Sequence, residues 1–127
     1  MKTTLETTIQ VRYSECDPMG VVHHAVYPVW FEMGRTELLR SQGGNYSSLE
    51  EEGFYFVVTE LHVLYKRPAK YDDHLLLETS VTSSTPARII HSYVLTNCVV
   101  TIATATTTIA CVNKDGVVQR FPDSITK

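Results

Sequence analysis

The hydrophobic pattern of this chain changes period once and does not change back. Across residues 26–39 the apolar side chains recur at helical spacing. Val26, Trp30 and Met33 form one stripe, Tyr27, Phe31 and Leu38 the next, and Val29 and Leu39 widen the arc. An arc that broad predicts a helix buried over most of its surface. Gly34, in its middle, costs helix propensity and predicts close packing against backbone. Pro28 sets the start between His24 and Pro28, because proline is tolerated only where its missing N–H would have had no intrahelical partner. Gly43 and Gly44 predict the end. From residue 54 onward the period is two: 54–67, 74–83, 88–97 and 99–112 are strand-like runs rich in Val, Ile, Thr and Tyr. "KRPAKYDD" and "SSTPA" read as loops, "TNC" as a tight hairpin and "NKDG" as a turn. Upstream, "TTIQVRY" (7–13) reads as a first strand, and 47–53 as a short helix after the long one. Four consecutive strands with short connections make an antiparallel sheet, and a helix this apolar must be covered by it. The pattern predicts an α+β fold: one curled antiparallel sheet around a long central helix.

With 127 residues, 43% apolar and 20% charged, the chain predicts one globular domain over 1–127. A net charge of −3 with no Lys/Arg run excludes a nucleic-acid footprint. The opening "MKTTLETTIQ" has no apolar core of a signal peptide, and no stretch is long enough to span a membrane. Cys16, Cys98 and Cys111 are odd in number and widely spaced. A reduced cytoplasmic protein without disulfides is the expectation.

The ionisable chemistry is concentrated in "ECDPMGVVHH", residues 15–24, at the mouth of the helix. A metal site is not expected. Adjacent His23 and His24 point apart on a helix or strand, zinc ligands usually stand two or four residues apart, and His62, His74 and His91 fall on separate strands. Cys16 sits between Glu15 and Asp17, whose charges would suppress its thiolate, so it reads as a packing residue. No GxSxG is present to mark a serine hydrolase. Asp17 remains. It precedes a turn into a helix N-terminus, where free N–H groups favour developing negative charge. By spacing alone it is equally a general base or nucleophile and a simple turn cap.

"YSECDPMGVVHHAVYPVWFEMGRTELL" resembles the signature of the 4-hydroxybenzoyl-CoA thioesterase family, which includes the Tol-Pal-associated acyl-CoA thioesterases. Tyr13, Glu15, Asp17, Gly20, Val21, Val22, His24, Tyr27, Glu32 and Arg35 fall on its pattern, as do "RPAKYDD" and "VNKDGVVQRFPDSI". The resemblance implies the hotdog fold, hydrolysis of an acyl-CoA thioester and no cofactor. It places the catalytic carboxylate on Asp17 and the oxyanion-binding backbone N–H at about His24. Tyr13, Gly20, Val22, His23 and Tyr27 are implied to line the substrate, although position 23 is commonly aromatic in relatives, and the acyl pocket is not carried over. Arg67 and Arg88, with Lys66 and Lys70, are the basic candidates for the CoA phosphates. Glu32 and Arg35, at i and i+3, read as a structural ion pair near a subunit interface. A homodimer joined edge to edge is implied, with pairing into a homotetramer as an extension and active sites at the interface. The acyl group, small aromatic or short-to-medium aliphatic, stays open. The alternatives are a non-catalytic acyl-CoA-binding or scaffold module and a hotdog hydratase/dehydratase, whose different motif this chain does not match.

Overall fold

A computed structural model describes residues 3–126. Strand β1 (Thr4–Gln10) leads through a single 3₁₀ turn to helix α1 (Tyr27–Ser41) and the short α2 (Tyr46–Glu51). Then follow β2 (Tyr55–Tyr65), β3 (His74–Ser84), β4 (Ile89–Asn97), β5 (Val100–Val112), the two-residue β6 (Val118–Gln119) and α3 (Asp123–Thr126). The strands form one antiparallel sheet in the order β1-β3-β4-β5-β2, with β6 added to β5. This is the α+β arrangement that the change of period predicts.

One face of the sheet carries the core. Leu75, Leu77 and Thr79 on β3 and Ile89, His91, Tyr93 and Leu95 on β4 are buried at strict two-residue intervals. That face packs on α1 through Tyr27, Trp30 and Phe31. Phe31 and Tyr93 stack with ring centroids 4.7 Å apart. Gly34 does mark the closest approach, but to side chains of β3 and not to backbone. A methyl group there would overlap Thr79 Oγ1 and come within 2.8 Å of Leu77 Cδ2.

Several boundaries differ from expectation, each for a local reason. The first strand runs three residues earlier than 7–13, because its partner β3 begins at His74 opposite Gln10. Beyond that pair the chain leaves the sheet, and Val11 N–H bonds to Asp73 O instead. The short helix starts at Tyr46 because Asn45 caps it, its side chain accepting from Ser48 N–H at 2.8 Å. Helix α1 ends as expected: Gly43, at φ 87°, and Gly44 donate to Arg40 O and Leu39 O, the double-bonded termination that only a left-handed residue allows. The expectation of a helix buried over most of its surface is limited at two of the apolar positions on which it rested. Val29 and Met33 are 52% and 45% exposed, on a side of the helix that the chain's own sheet does not reach. After the NKDG turn the chain adds β6 and α3, where no elements were expected. All three cysteines are free. No helix among the described residues is long and apolar enough to cross a membrane.

Candidate active site

Residues 15–23 fold back on themselves as a short ladder. Asp17 N–H donates to Val21 O at 2.8 Å, Cys16 pairs with Val22, and His23 N–H donates to Glu15 O at 2.9 Å. The turn between them needs Gly20, which sits at φ 81°. Asp17 shapes the same turn: its Oδ1 accepts from Met19 N–H at 2.9 Å. Half-buried Asp17 thus has one carboxylate oxygen in the turn, and among the described residues nothing donates to the other. The cap reading and the catalytic reading are compatible, because a carboxylate has two oxygens.

The second strand of the ladder runs straight into α1. Val26 N–H bonds to His23 O at 3.0 Å, and Ala25 N–H to His23 Nδ1 at 3.0 Å, which leaves the imidazole proton on Nε2. His24 N–H has no protein acceptor among the described residues. Its carbonyl is held from the other side by the Tyr65 hydroxyl at 2.8 Å. The turn that leads into α1 therefore presents an unused donor at the residue where an oxyanion donor is expected, next in sequence to the ladder that carries Asp17. The expectation that His23 and His24 point apart is overturned. Their rings stack at 4.3 Å, because residues 23–26 form a turn and neither a helix nor a strand.

Glu15 anchors this arrangement, a role that sequence reasoning missed. It is 6% exposed, and its carboxylate accepts from Arg12 N–H at 2.7 Å, the Arg12 guanidinium at 3.2 Å and Trp30 Nε1–H at 3.0 Å. Burial pushes its carboxyl up, but these donors outweigh burial and hold it below the ordinary value. One side chain thereby ties the loop before Asp17 to the first turn of α1. The available signal was an acidic residue and a tryptophan fifteen positions apart, both flanking the reactive stretch.

The remaining candidates fall into two groups. Tyr13, 80% exposed, makes an edge contact with Tyr71 at 5.6 Å in the 66–73 loop. That loop packs on the site through Val22 N–H to Ala69 O at 2.8 Å and a Val21–Lys70 bridge, so exposed Lys66, Arg67 and Lys70 stand at the same end of the sheet as Asp17. Val22 and Tyr27 are buried in the core, where they support the ladder and the helix start. Burial also pushes the Tyr27 and Tyr65 hydroxyls up, which keeps both protonated as donors. Arg88 lies elsewhere: it sits in the β3–β4 turn, separated from the 66–73 loop by the 11 residues of β3, roughly 30 Å. Within one chain it is not brought together with Arg67. Glu32 and Arg35 approach to 3.9 Å, with Arg35 buried and Glu32 at the surface. Among the described residues no three His, Cys, Asp or Glu side chains converge as metal ligands.

The sequence profile of the thioesterase superfamily matches residues 19–97. The chain belongs to the thioesterase superfamily. The matched segment begins two residues after Asp17 and includes His24 and all of α1. Among curated relatives of this thioesterase, a putative acyl-CoA thioesterase of Bacillus subtilis, YneP, is 34% identical over 84% of this chain and 78% of that protein. The acyl-CoA thioesterase YbgC of Haemophilus influenzae is 38% identical over 83% of this chain and 78% of its own length. Among solved structures, a DHNA-CoA thioesterase from Staphylococcus aureus superposes with a TM-score of 0.87 at 29% identity, covering 93% of this chain and 79% of that one. The antiparallel sheet laid over one long helix is the hotdog fold of these thioesterases, as the sequence resemblance implies.

Proposed function

We propose that this thioesterase hydrolyses a small aromatic or short-to-medium-chain acyl-CoA, with Asp17 as the activating carboxylate and the His24 N–H as oxyanion donor. The observation that carries the reading is that one short segment before α1 holds both an Asp17 oxygen left free by its turn and an unused His24 N–H. The thioester carbonyl oxygen docks at His24 N–H. Water attacks the carbonyl carbon while Asp17 takes its proton, or Asp17 attacks directly and water opens the resulting anhydride. Negative charge on the tetrahedral oxygen is met by the N–H and by the positive end of α1. The C–S bond then breaks, the CoA thiolate departs and a carboxylic acid remains. The thiolate is a good leaving group, so these residues supply all that the reaction requires.

The edges of the sheet support a homodimer. Strand β2 is an edge 11 residues long, with Val57, Val58, Leu61, Leu64 and Tyr65 exposed, and the exposed Val29 and Met33 of α1 extend the apolar surface. An edge of that length and character is ordinarily paired. Antiparallel joining of β2 to β2 of a second copy reverses that copy's sheet, so its β3–β4 turn faces the end that holds Asp17. Arg88 then joins Arg67 at the CoA phosphates across the interface, although the two are far apart in one chain. Further pairing of such dimers makes a tetramer. The three free thiols suit a reducing cytoplasmic compartment.

The test is hydrolysis of an acyl-CoA panel followed with a thiol reagent, comparing wild type with Asp17→Asn. Loss of kcat by about 10²-fold or more with little change in KM supports the carboxylate role. Retained turnover assigns Asp17 to the turn alone. Single turnover in ¹⁸O-labelled water, followed by mass analysis of Asp17, separates base from nucleophile, because only the nucleophilic route labels the side chain.

A further inference from the structure

Toward the far end of α1 from Asp17, the helix and the sheet line a half-open cavity of about 170 Å³. Its walls are mainly aliphatic and aromatic, with Leu38, Phe56, Ile89 and Ile109 among them. Arg35, Tyr46 and His91 bring polar groups into this apolar space. From Tyr27 to Leu38 the helix rises roughly 16 Å, so within one chain the cavity lies apart from the ladder that holds Asp17 and from the start of α1.

The polar groups are poorly served by the protein itself. Arg35 is 9% exposed and carries five N–H donors. Its guanidinium reaches the Tyr93 hydroxyl over a long 3.4 Å, a hydroxyl already engaged with Thr107 Oγ1 at 2.7 Å, and the Tyr46 hydroxyl, which together leave most of its five N–H donors unused. Its carboxylate neighbour Glu32 is 3.9 Å away and its side chain is 69% exposed, so most of that charge is screened by solvent. The Tyr46 hydroxyl lies beside the guanidinium and brings no charge; burial pushes it up, and Arg35 pulls it back only in part. His91 is 9% exposed, and its Nδ1 has no hydrogen-bond partner. Burial and the Arg35 charge lower its pKa to about 4, so it stands neutral beside the cation. A buried guanidinium whose only carboxylate neighbour is a solvent-exposed one 3.9 Å away, close enough to an unpartnered imidazole nitrogen to perturb it, is costly unless something else completes the set.

We infer that this cavity is a second, non-catalytic binding site for a compact apolar monocarboxylate, its carboxylate on Arg35 and His91 and its body among Leu38, Phe56, Ile89 and Ile109. A cavity of about 150 Å³ holds a benzene ring, so the space fits benzoate or an aliphatic acid of similar bulk. Neutral His91 can donate one N–H to a carboxylate oxygen, the guanidinium can donate two, and the Tyr46 hydroxyl can donate a further one. The chemistry is that of a carboxylic acid such as thioester hydrolysis releases, but the binding site stands on Arg35 and His91 whether or not Asp17 is the catalytic group.

The probe is benzoate, titrated calorimetrically into the full-length protein, with benzamide as the neutral isostere and ¹⁵N-histidine NMR as the reporter. Benzoate should saturate with a Kd at or below about 10 mM, as a nine-atom ligand with one charged contact allows. It should bind at least tenfold more tightly than benzamide and shift the His91 Nδ1 resonance. Arg35→Met should weaken benzoate by tenfold or more. Because that variant also removes a buried charge, Val81→Phe, which fills the cavity while leaving Arg35 in place, serves as the second arm and should abolish binding with the circular dichroism spectrum retained. Asp17→Asn should bind benzoate as wild type does. Benzoate and benzamide binding equally, no saturation, loss of binding in Asp17→Asn alone, or a His91 resonance that responds to protein concentration and not to benzoate would each overturn the inference. The last result would mean that a carboxylate of a second copy meets Arg35.

Discussion

Replacing Gly34 by alanine tests how tightly the sheet closes on α1. In a helix interior the change should help, since alanine is favoured over glycine by about 0.5–1 kcal/mol. Here the added methyl would overlap Thr79 Oγ1 and approach Leu77 Cδ2 to 2.8 Å, and both side chains are fully buried. Of the two other staggered positions of Thr79, one puts its methyl where the hydroxyl stood and the second, which turns only Hβ toward the helix, drives both the hydroxyl and the methyl into new positions in a fully buried site. Forcing a methyl into a packed core costs about 1–3 kcal/mol. The net expectation is a loss of about 1–2 kcal/mol, or a Tm lower by about 4–8 °C for a chain of this length. Urea unfolding followed by Trp30 fluorescence, with both proteins at the same concentration, gives the number. The double-mutant cycle with Thr79→Ala is the sharper reading: removing the obstructing hydroxyl should reduce the cost of the Gly34 change by about 1 kcal/mol. If Gly34→Ala is stabilising, or if its cost is the same in both backgrounds, the steric argument is wrong.

Other expectations follow from the site and the buried groups. Cys16→Ser should leave turnover within a few-fold, and chelators should have no effect; abolished turnover in Cys16→Ser would transfer the chemistry to the thiol. Arg67→Ala, and Arg88→Ala if the partner supplies it, should raise KM for acyl-CoA while leaving an acyl-pantetheine substrate unaffected; equal losses on both substrates would make the residue structural. Glu15→Ala strands the Trp30 indole and Arg12 N–H donors and should cost about 2–4 kcal/mol in urea unfolding, with turnover lost through displacement of the ladder. His91, held to about 4 by burial and by the Arg35 charge, takes up its proton near 6.5 only when unfolded, so stability should fall as pH drops from 6.5 towards 4. The full effect is about 3 kcal/mol, and His91→Gln should flatten that slope; an unchanged slope in the variant would show that His91 is not its source. The depressed Glu15 carboxyl adds a separate loss at lower pH, as it protonates below the ordinary carboxylate value.

Local rules of the chain were enough for the fold class and for the order of elements from β1 to β5, though not for β6 and α3. The single change of hydrophobic period separates one helix from a run of strands, Pro28 and the Gly43-Gly44 pair bound that helix, and Gly20 marks the turn that holds Asp17. These signals work because they depend on backbone conformation, and each is carried by a residue that few others can replace. What only the tertiary structure decided are relations between segments distant in sequence. Glu15 receives Trp30, the Tyr65 hydroxyl holds the His24 carbonyl, Thr79 sets the limit at Gly34, and Arg88 is parted from Arg67 by the length of β3. His91 read as one more scattered histidine, and Arg35 as half of an i,i+3 pair; packing α1 on β4 put both in one apolar cavity. No periodicity encodes such meetings. They depend on which faces the sheet turns toward the helix and how far each strand slides, and those are settled by packing the whole core at once.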